Sequence, residues 1–132
     1  MKAYKEKQLF FRHFLSAPFI YSVIIALVTM DILVEIYHRM CFPIYGLDYV
    51  RRREYIKIDR HKLSYLNWFQ KINCVYCGYA NGLLHYVSEI AGVTEAYWCG
   101  IQHQKSKTFH PTSHQVSFLQ YGDEKDYLEF FK

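Results

Sequence analysis

Residues 14–30 read FLSAPFIYSVIIALVTM, a run without a single charge, and no other stretch restricts the fold so strongly. The apolar character continues past Asp31 and Glu35 to Tyr37. About 20 helical residues, each rising about 1.5 Å, cross the hydrocarbon of a bilayer, so reading on to Tyr37 supplies the length. The competing fold for such a run is the buried core helix of an unusually aromatic soluble protein. No A-x-A pattern of small residues follows it, so a cleaved signal peptide is not expected. The run is therefore read as a membrane anchor.

Charge is arranged around that anchor. Residues 1–13 carry a net +3, residues 39–71 a net +5 and residues 109–132 a net −2. Basic residues flank the apolar stretch on both sides, which suits anionic lipid headgroups. A nucleic-acid footprint usually forms one continuous patch, so no nucleic-acid partner is expected. The longer basic flank, with Arg51, Arg52 and Arg53, follows the anchor, and the positive-inside rule then favours a cytoplasmic C-terminal part. Four cysteines without the architecture of a small secreted protein point the same way, to a reducing compartment.

The 132 residues include 13 Tyr, 10 Phe and 2 Trp, enough for one folded domain and far from the composition of a disordered chain. Four segments are expected. Residues 1–13 form a basic-aromatic lead-in at the interface. Residues 14–41 form the anchor helix, which ends near Cys41 because Pro43 cannot continue the ladder. Residues 42–108 form a helical domain, and residues 109–132 a polar, acidic tail, loosely ordered.

Within the third segment, residues 55–58 alternate as a short extended piece and Asp59 is a plausible N-cap. Leu63, Leu66, Phe69 and Ile72 then share one face of a helix whose flanks carry Tyr65, Trp68 and Lys71. An aromatic, basic amphipathic helix of this kind lies in the membrane plane or packs on its own domain. A turn bearing Cys74-x-x-Cys77 follows, with Gly78 and Gly82 supplying backbone freedom near the thiols. A further helix runs from Leu83 to about His103. The expected fold class is mainly α, an N-terminal membrane helix followed by a small helical cysteine-containing domain with an amphipathic interfacial helix.

The cysteines carry the first candidate chemistry. Cys74 and Cys77 can chelate one ion if the chain turns between them, and Cys99 and His103, four apart, project from one helical face. Such a set suits tetrahedral zinc, or iron where all four ligands are sulfur, with Cys41 as the competing fourth ligand. A dithiol switch and inert buried thiols are the alternatives.

Asp31, Glu35 and His38 form the second, a polar stripe at i, i+4 and i+7. Acids at membrane depth suggest function or a partner. His85 and Glu89 repeat the i, i+4 spacing on the later helix, and Glu95 lies to the side of that face. Glu35-x-x-His38 has the tetrad spacing of di-iron carboxylate bundles, and a homodimer supplying Glu89 from each chain would complete one. The plainer reading places Asp31, Glu35 and His38 at headgroup level beside Tyr37 and Arg39.

His110 and His114 share a four-residue spacing, but Pro111, Thr112 and Ser113 argue for solvated loop histidines. His13 and His61 read as interfacial. No glycine-rich phosphate loop and no nucleophile elbow occurs in the sequence, which removes the commonest kinase, nucleotide-binding and hydrolase chemistries.

The segments CFPIYG, REYIKIDRHKLSYLNW, NCVYCGYANG and EAYWCGIQH together resemble a group of short bacterial membrane-anchored proteins with CVYCGYANG and YWC-x3-H elements. The resemblance covers roughly residues 16–103. It implies an apolar N-terminal segment ahead of a cysteine-containing part and transfers no catalytic residue.

The expected protein is a small metal-binding protein of the bacterial inner membrane, its cysteine domain facing the cytoplasm. Cys74, Cys77, Cys99 and His103 or Cys41 would hold zinc or iron in a structural or redox role. Two alternatives stand beside it. One is a dimeric di-iron carboxylate oxidoreductase built from Glu35, His38 and Glu89 with His85. The other is a non-enzymatic accessory subunit of a larger membrane complex, docked through Asp31, Glu35 and His38.

Overall fold

A computed structural model describes residues 10–130; most of the lead-in expected over residues 1–13 lies outside them. The described chain is mainly helical, in the order α1 (Phe10–Tyr45), α2 (Arg52–Tyr55), α3 (Trp68–Trp98) and α4 (Glu124–Phe130), with two short 3₁₀ turns.

The apolar run forms α1, which is longer than expected at 36 residues. Pro43 lies inside its last turn, where a missing N–H removes one ladder bond and leaves the turn intact. The helix stops at Gly46, whose φ of 68° is open to a residue without a side chain. The N–H of Gly46 bonds the Pro43 carbonyl at 3.3 Å and that of Leu47 the Phe42 carbonyl at 2.9 Å, which closes the last carbonyls.

Helix α3 differs most from expectation. Asp59 precedes only a 3₁₀ turn, Arg60–Lys62, and its side chain caps nothing. The helix begins instead after Asn67, whose side chain accepts from the Gln70 N–H at 2.8 Å while the Gln70 amide oxygen takes the Asn67 N–H at 3.0 Å. This capping box satisfies two orphan donors at once. From there α3 runs without a break through Cys74 and Cys77 to Trp98. The amphipathic helix expected over residues 60–73 and the turn expected at the cysteines are therefore not separate elements.

The two long helices run parallel. Tyr21 bonds Asn73, Tyr79 bonds Asp31, Tyr86 bonds Glu35, and Tyr37 bonds Thr94, so rising numbers on α1 meet rising numbers on α3. The connector, residues 46–67, must then return along their whole length, and it lies against both. Here Gly78 and Gly82 find their use. A Cβ on Gly82 would stand 2.8 Å from the Ile56 Cα and the Tyr55 carbonyl oxygen, and one on Gly78 would stand 3.1 Å from the Lys57 carbonyl oxygen. They admit the connector backbone to the surface of α3 and do not loosen the chain beside the thiols.

Leu27, Phe42, Leu83, Tyr86 and Ile90 form the buried core along this seam. The C-terminal part packs at the far end of α3. Ile101 bridges Leu119, and the Gln102 side chain donates to the carbonyls of Val116 and Phe118.

Candidate functional site

The stripe of Asp31, Glu35 and His38 turns inward, towards α3 and the connector. Asp31 receives both terminal nitrogens of Arg52, one of them at 2.7 Å, and the Tyr79 hydroxyl at 2.8 Å. Glu35 receives Arg39 Nε at 2.8 Å, the Tyr49 hydroxyl at 3.2 Å and the Tyr86 hydroxyl at 3.0 Å. Burial, then the bond to Asp31, pushes the Tyr79 phenol up to about 12; burial and Glu35 push that of Tyr86 higher still. Both phenols therefore act as fixed donors at any ordinary pH.

His38 is fully buried. Its Nε2 takes the Val50 backbone N–H at 3.1 Å and its Nδ1 lies 2.9 Å from the Tyr86 oxygen. A backbone amide can only donate, so Nε2 carries the lone pair and the ring proton sits on Nδ1. The relay then runs Val50 N–H to His38, His38 to Tyr86 and Tyr86 to Glu35. Among the described residues each carboxylate oxygen of the stripe and both ring nitrogens of His38 have a partner, while Asp31 and Glu35 still border an open cleft with Arg39 and Arg52. Tyr49 stacks on the His38 ring at 3.9 Å between centroids.

From the sequence, Tyr49, Tyr79 and Tyr86 have no assigned role, and Arg52 has only a place in the basic flank. A signal exists for two of them. Asp31 and His38 are seven apart, as are Tyr79 and Tyr86, and two parallel helices of equal rise keep such pairs in register.

The expected metal site is not assembled. Cys74, Cys77 and Cys99 lie on or at the end of one continuous helix, and 25 residues of helix separate Cys74 from Cys99 by about 37 Å. Cys41 is near the far end as well, where Tyr45 stacks on Tyr97, whereas the 74/77 pair stands near Tyr76 and the Ile20 carbonyl it bonds. All four thiols are free, with Cys77 and Cys99 exposed. His103 faces Phe109. Within one chain the ligand set expected for zinc or iron does not come together, and no group of three or more His, Cys, Asp or Glu side chains among the described residues is placed to hold a metal ion.

The di-iron arrangement is also corrected. Glu35 and His38 are taken up as above, His85 lies edge-on to Tyr55 at 5.0 Å, and Glu89 is exposed. Glu89 falls outside the inward stripe because the seam face of α3 passes through Leu83, Tyr86 and Ile90.

The outer face of α1 is the second feature. From Phe14 to Ile36 its exposed positions include Phe19, Val23, Ile25, Val28, Ile32 and Leu33, and none of its exposed positions there is charged. The hydroxyls of Ser22 and Thr29 on this face bond back to the carbonyls of Phe19 and Ile25, each at 2.8 Å. One helix, Arg12–Tyr45, is long and apolar enough to cross a membrane, and only 6% of its apolar window is buried.

At the far end of α3, Glu95 accepts from His114 Nε2 and from the Gln115 side-chain nitrogen, each at 2.8 Å. His114 is half-buried against Gly92, where a Cβ would meet its ring at 2.8 Å, so it is a packing residue and not a solvated one. His110 is exposed. The bond from His114 outweighs burial and holds the Glu95 carboxyl below its ordinary 4.5. A depressed carboxyl adds stability above its unfolded pKa, and that stability is lost as pH falls through the lower folded value. Amide protection over residues 112–119 should therefore hold steady from pH 7 to 5 and fall below about 4.5, a step absent in Glu95→Gln. Hydrogen exchange read by mass spectrometry checks this.

No family model, no curated protein and no solved structure matches the chain.

Proposed function

We propose that the chain is a non-enzymatic membrane-associated protein that presents the outer face of α1 to lipid, and that the half-buried ion and tyrosine ladder serves to hold the connector and α3 against the other side. The supporting observation is the uncovered apolar window of α1, only 6% buried. The core helix of a soluble protein covers such a surface, and monomers rarely expose contiguous apolar patches of more than a few hundred Å². Ser22 and Thr29 add to the case, because each hydroxyl is satisfied within the helix and needs no water.

Four free cysteines favour the reducing side of that membrane, and by the resemblance it is the bacterial inner membrane. An accessory role suits a chain whose polar groups are spent on each other.

Flotation tests the reading. Wild-type protein diluted from detergent should float with phosphatidylcholine–phosphatidylglycerol vesicles. Ile25→Lys/Ile32→Lys should reduce the bound fraction at least tenfold while keeping its helical circular dichroism, since a charge at membrane depth is expensive. Wild-type protein that remains monomeric in the aqueous fraction would overturn it.

A further inference from the structure

We infer that α1 lies along the plane of one leaflet, its outer face among the acyl chains and the basic connector on the phosphates of that same leaflet, and does not cross the bilayer. The inference rests on the membrane reading above and concerns how the surface is used.

The positions of the charges carry it. The connector folds back beside the middle of α1: Val50 meets His38, Arg52 meets Asp31, and Ile58 and His61 share a cavity with Ile24. The basic residues from Arg51 to Lys62 therefore stand at heights between Ile24 and His38. An upright α1 would carry all of them into the hydrocarbon, where a charged side chain is costly unless paired. Only Arg52 has a carboxylate from α1. Arg51 and Lys57 make exposed pairs with Glu54 and Asp59 at 3.8 and 3.6 Å. Arg53, Arg60 and Lys62 are exposed and, among the described residues, have no ionic partner.

Two further observations agree. The layer behind α1 carries polar groups on the middle of its outward side, where Asn81, His85, Ser88 and Glu89 are exposed on α3 around Leu84. A crossing would bury that side too. The outer face also continues beyond Arg39 to Met40 and Ile44. Phe14 to Ile44 spans about 45 Å of helix, more than the roughly 30 Å of hydrocarbon an upright helix meets. A helix lying flat has no such limit. Arg39, 68% exposed, sits at the border of that face, where a guanidinium reaches headgroups.

Charge complementarity identifies the surface. Residues 51–62 hold six Lys and Arg against Glu54 and Asp59, which suits an anionic leaflet.

The experiment uses the unmodified chain, whose two tryptophans, Trp68 and Trp98, are exposed at opposite ends of α3. Protein is diluted from detergent onto preformed, sealed vesicles with 30% phosphatidylglycerol, and iodide is added outside. A helix lying flat leaves both indoles on the outer side, so nearly all tryptophan emission should be quenched. Emission protected by about half, and released when the vesicles are opened, means a crossing and overturns the inference while the membrane reading stands. A chain that does not float with vesicles removes both.

Single cysteines in a cysteine-free background give the second measurement. Arg12→Cys, Asp48→Cys and Lys62→Cys should all react with an impermeant maleimide from outside. Opposite sidedness of positions 12 and 48 would again overturn the inference. Binding to vesicles of phosphatidylcholine alone should be at least tenfold weaker, and equal binding would remove the headgroup contact.

Discussion

Gly82→Ala should destabilise the protein by about 2–3 kcal/mol and detach the connector from α3. On helix propensity alone the exchange is favourable, by up to about 1 kcal/mol. Packing reverses the sign. The new Cβ would stand 2.8 Å from two backbone atoms, the Ile56 Cα and the Tyr55 oxygen, and a backbone cannot rotate aside as a flexible side chain does. The connector must shift, and that shift strains the neighbouring Arg52 contacts with Asp31. Gly78→Ala should do less, because its nearest contact is 3.1 Å. Thermal unfolding in detergent, followed by circular dichroism, checks both. A Gly82→Ala protein as stable as wild type would mean that the close approach does not exist.

The second large effect is expected at the ion pair under α1. Asp31→Ala leaves the Arg52 guanidinium beside α1 without its carboxylate, and it also strips an acceptor from Tyr79. Removing one member of a buried pair costs about 3–5 kcal/mol. The Arg52 side chain is 36% exposed, so water can partly replace the lost partner, and about 2 kcal/mol is the expected loss. The informative comparison is the cycle with Arg52→Met. The double variant should recover part of the loss, with a coupling of at least about 1 kcal/mol between the two positions. Additive losses would show that the pair contributes packing alone.

The candidate site was partly legible before the fold was known. Asp31, Glu35 and His38 share a face because helical periodicity places i, i+4 and i+7 together, and they do. Their partners were less legible, since Tyr49, Arg52, Tyr79 and Tyr86 arrive from 14 to 51 positions further along the chain, and the matching seven-residue spacing of Tyr79 and Tyr86 gains meaning only once the two helices are known to run parallel. The cysteines failed for the complementary reason. A C-x-x-C spacing is the same string in a turn and in a helix, and only the uninterrupted α3 puts Cys99 about 37 Å beyond Cys74. The start of that helix could have been read, because Asn67 and Gln70 are the two halves of a capping box, but Asp59 offered a competing cap nearer the expected pattern.

What the order of residues determined by itself was local: an apolar stretch long enough for a membrane, a helical chain, a polar stripe on one helical face and the basic flank. Each depends on side chains within a turn or two of one another, or on summed composition, and such interactions are already encoded at short range. Tertiary structure alone decided that the two long helices run parallel and that the connector returns between them. It also gave the glycines of α3 a docking role. Those outcomes turn on which surfaces fit once distant segments meet, and a Cβ clash or a shared carboxylate exists only after they have done so. The same contact that brings Arg52 to Asp31 brings the basic connector beside the apolar rod, and with it the question of how α1 meets lipid.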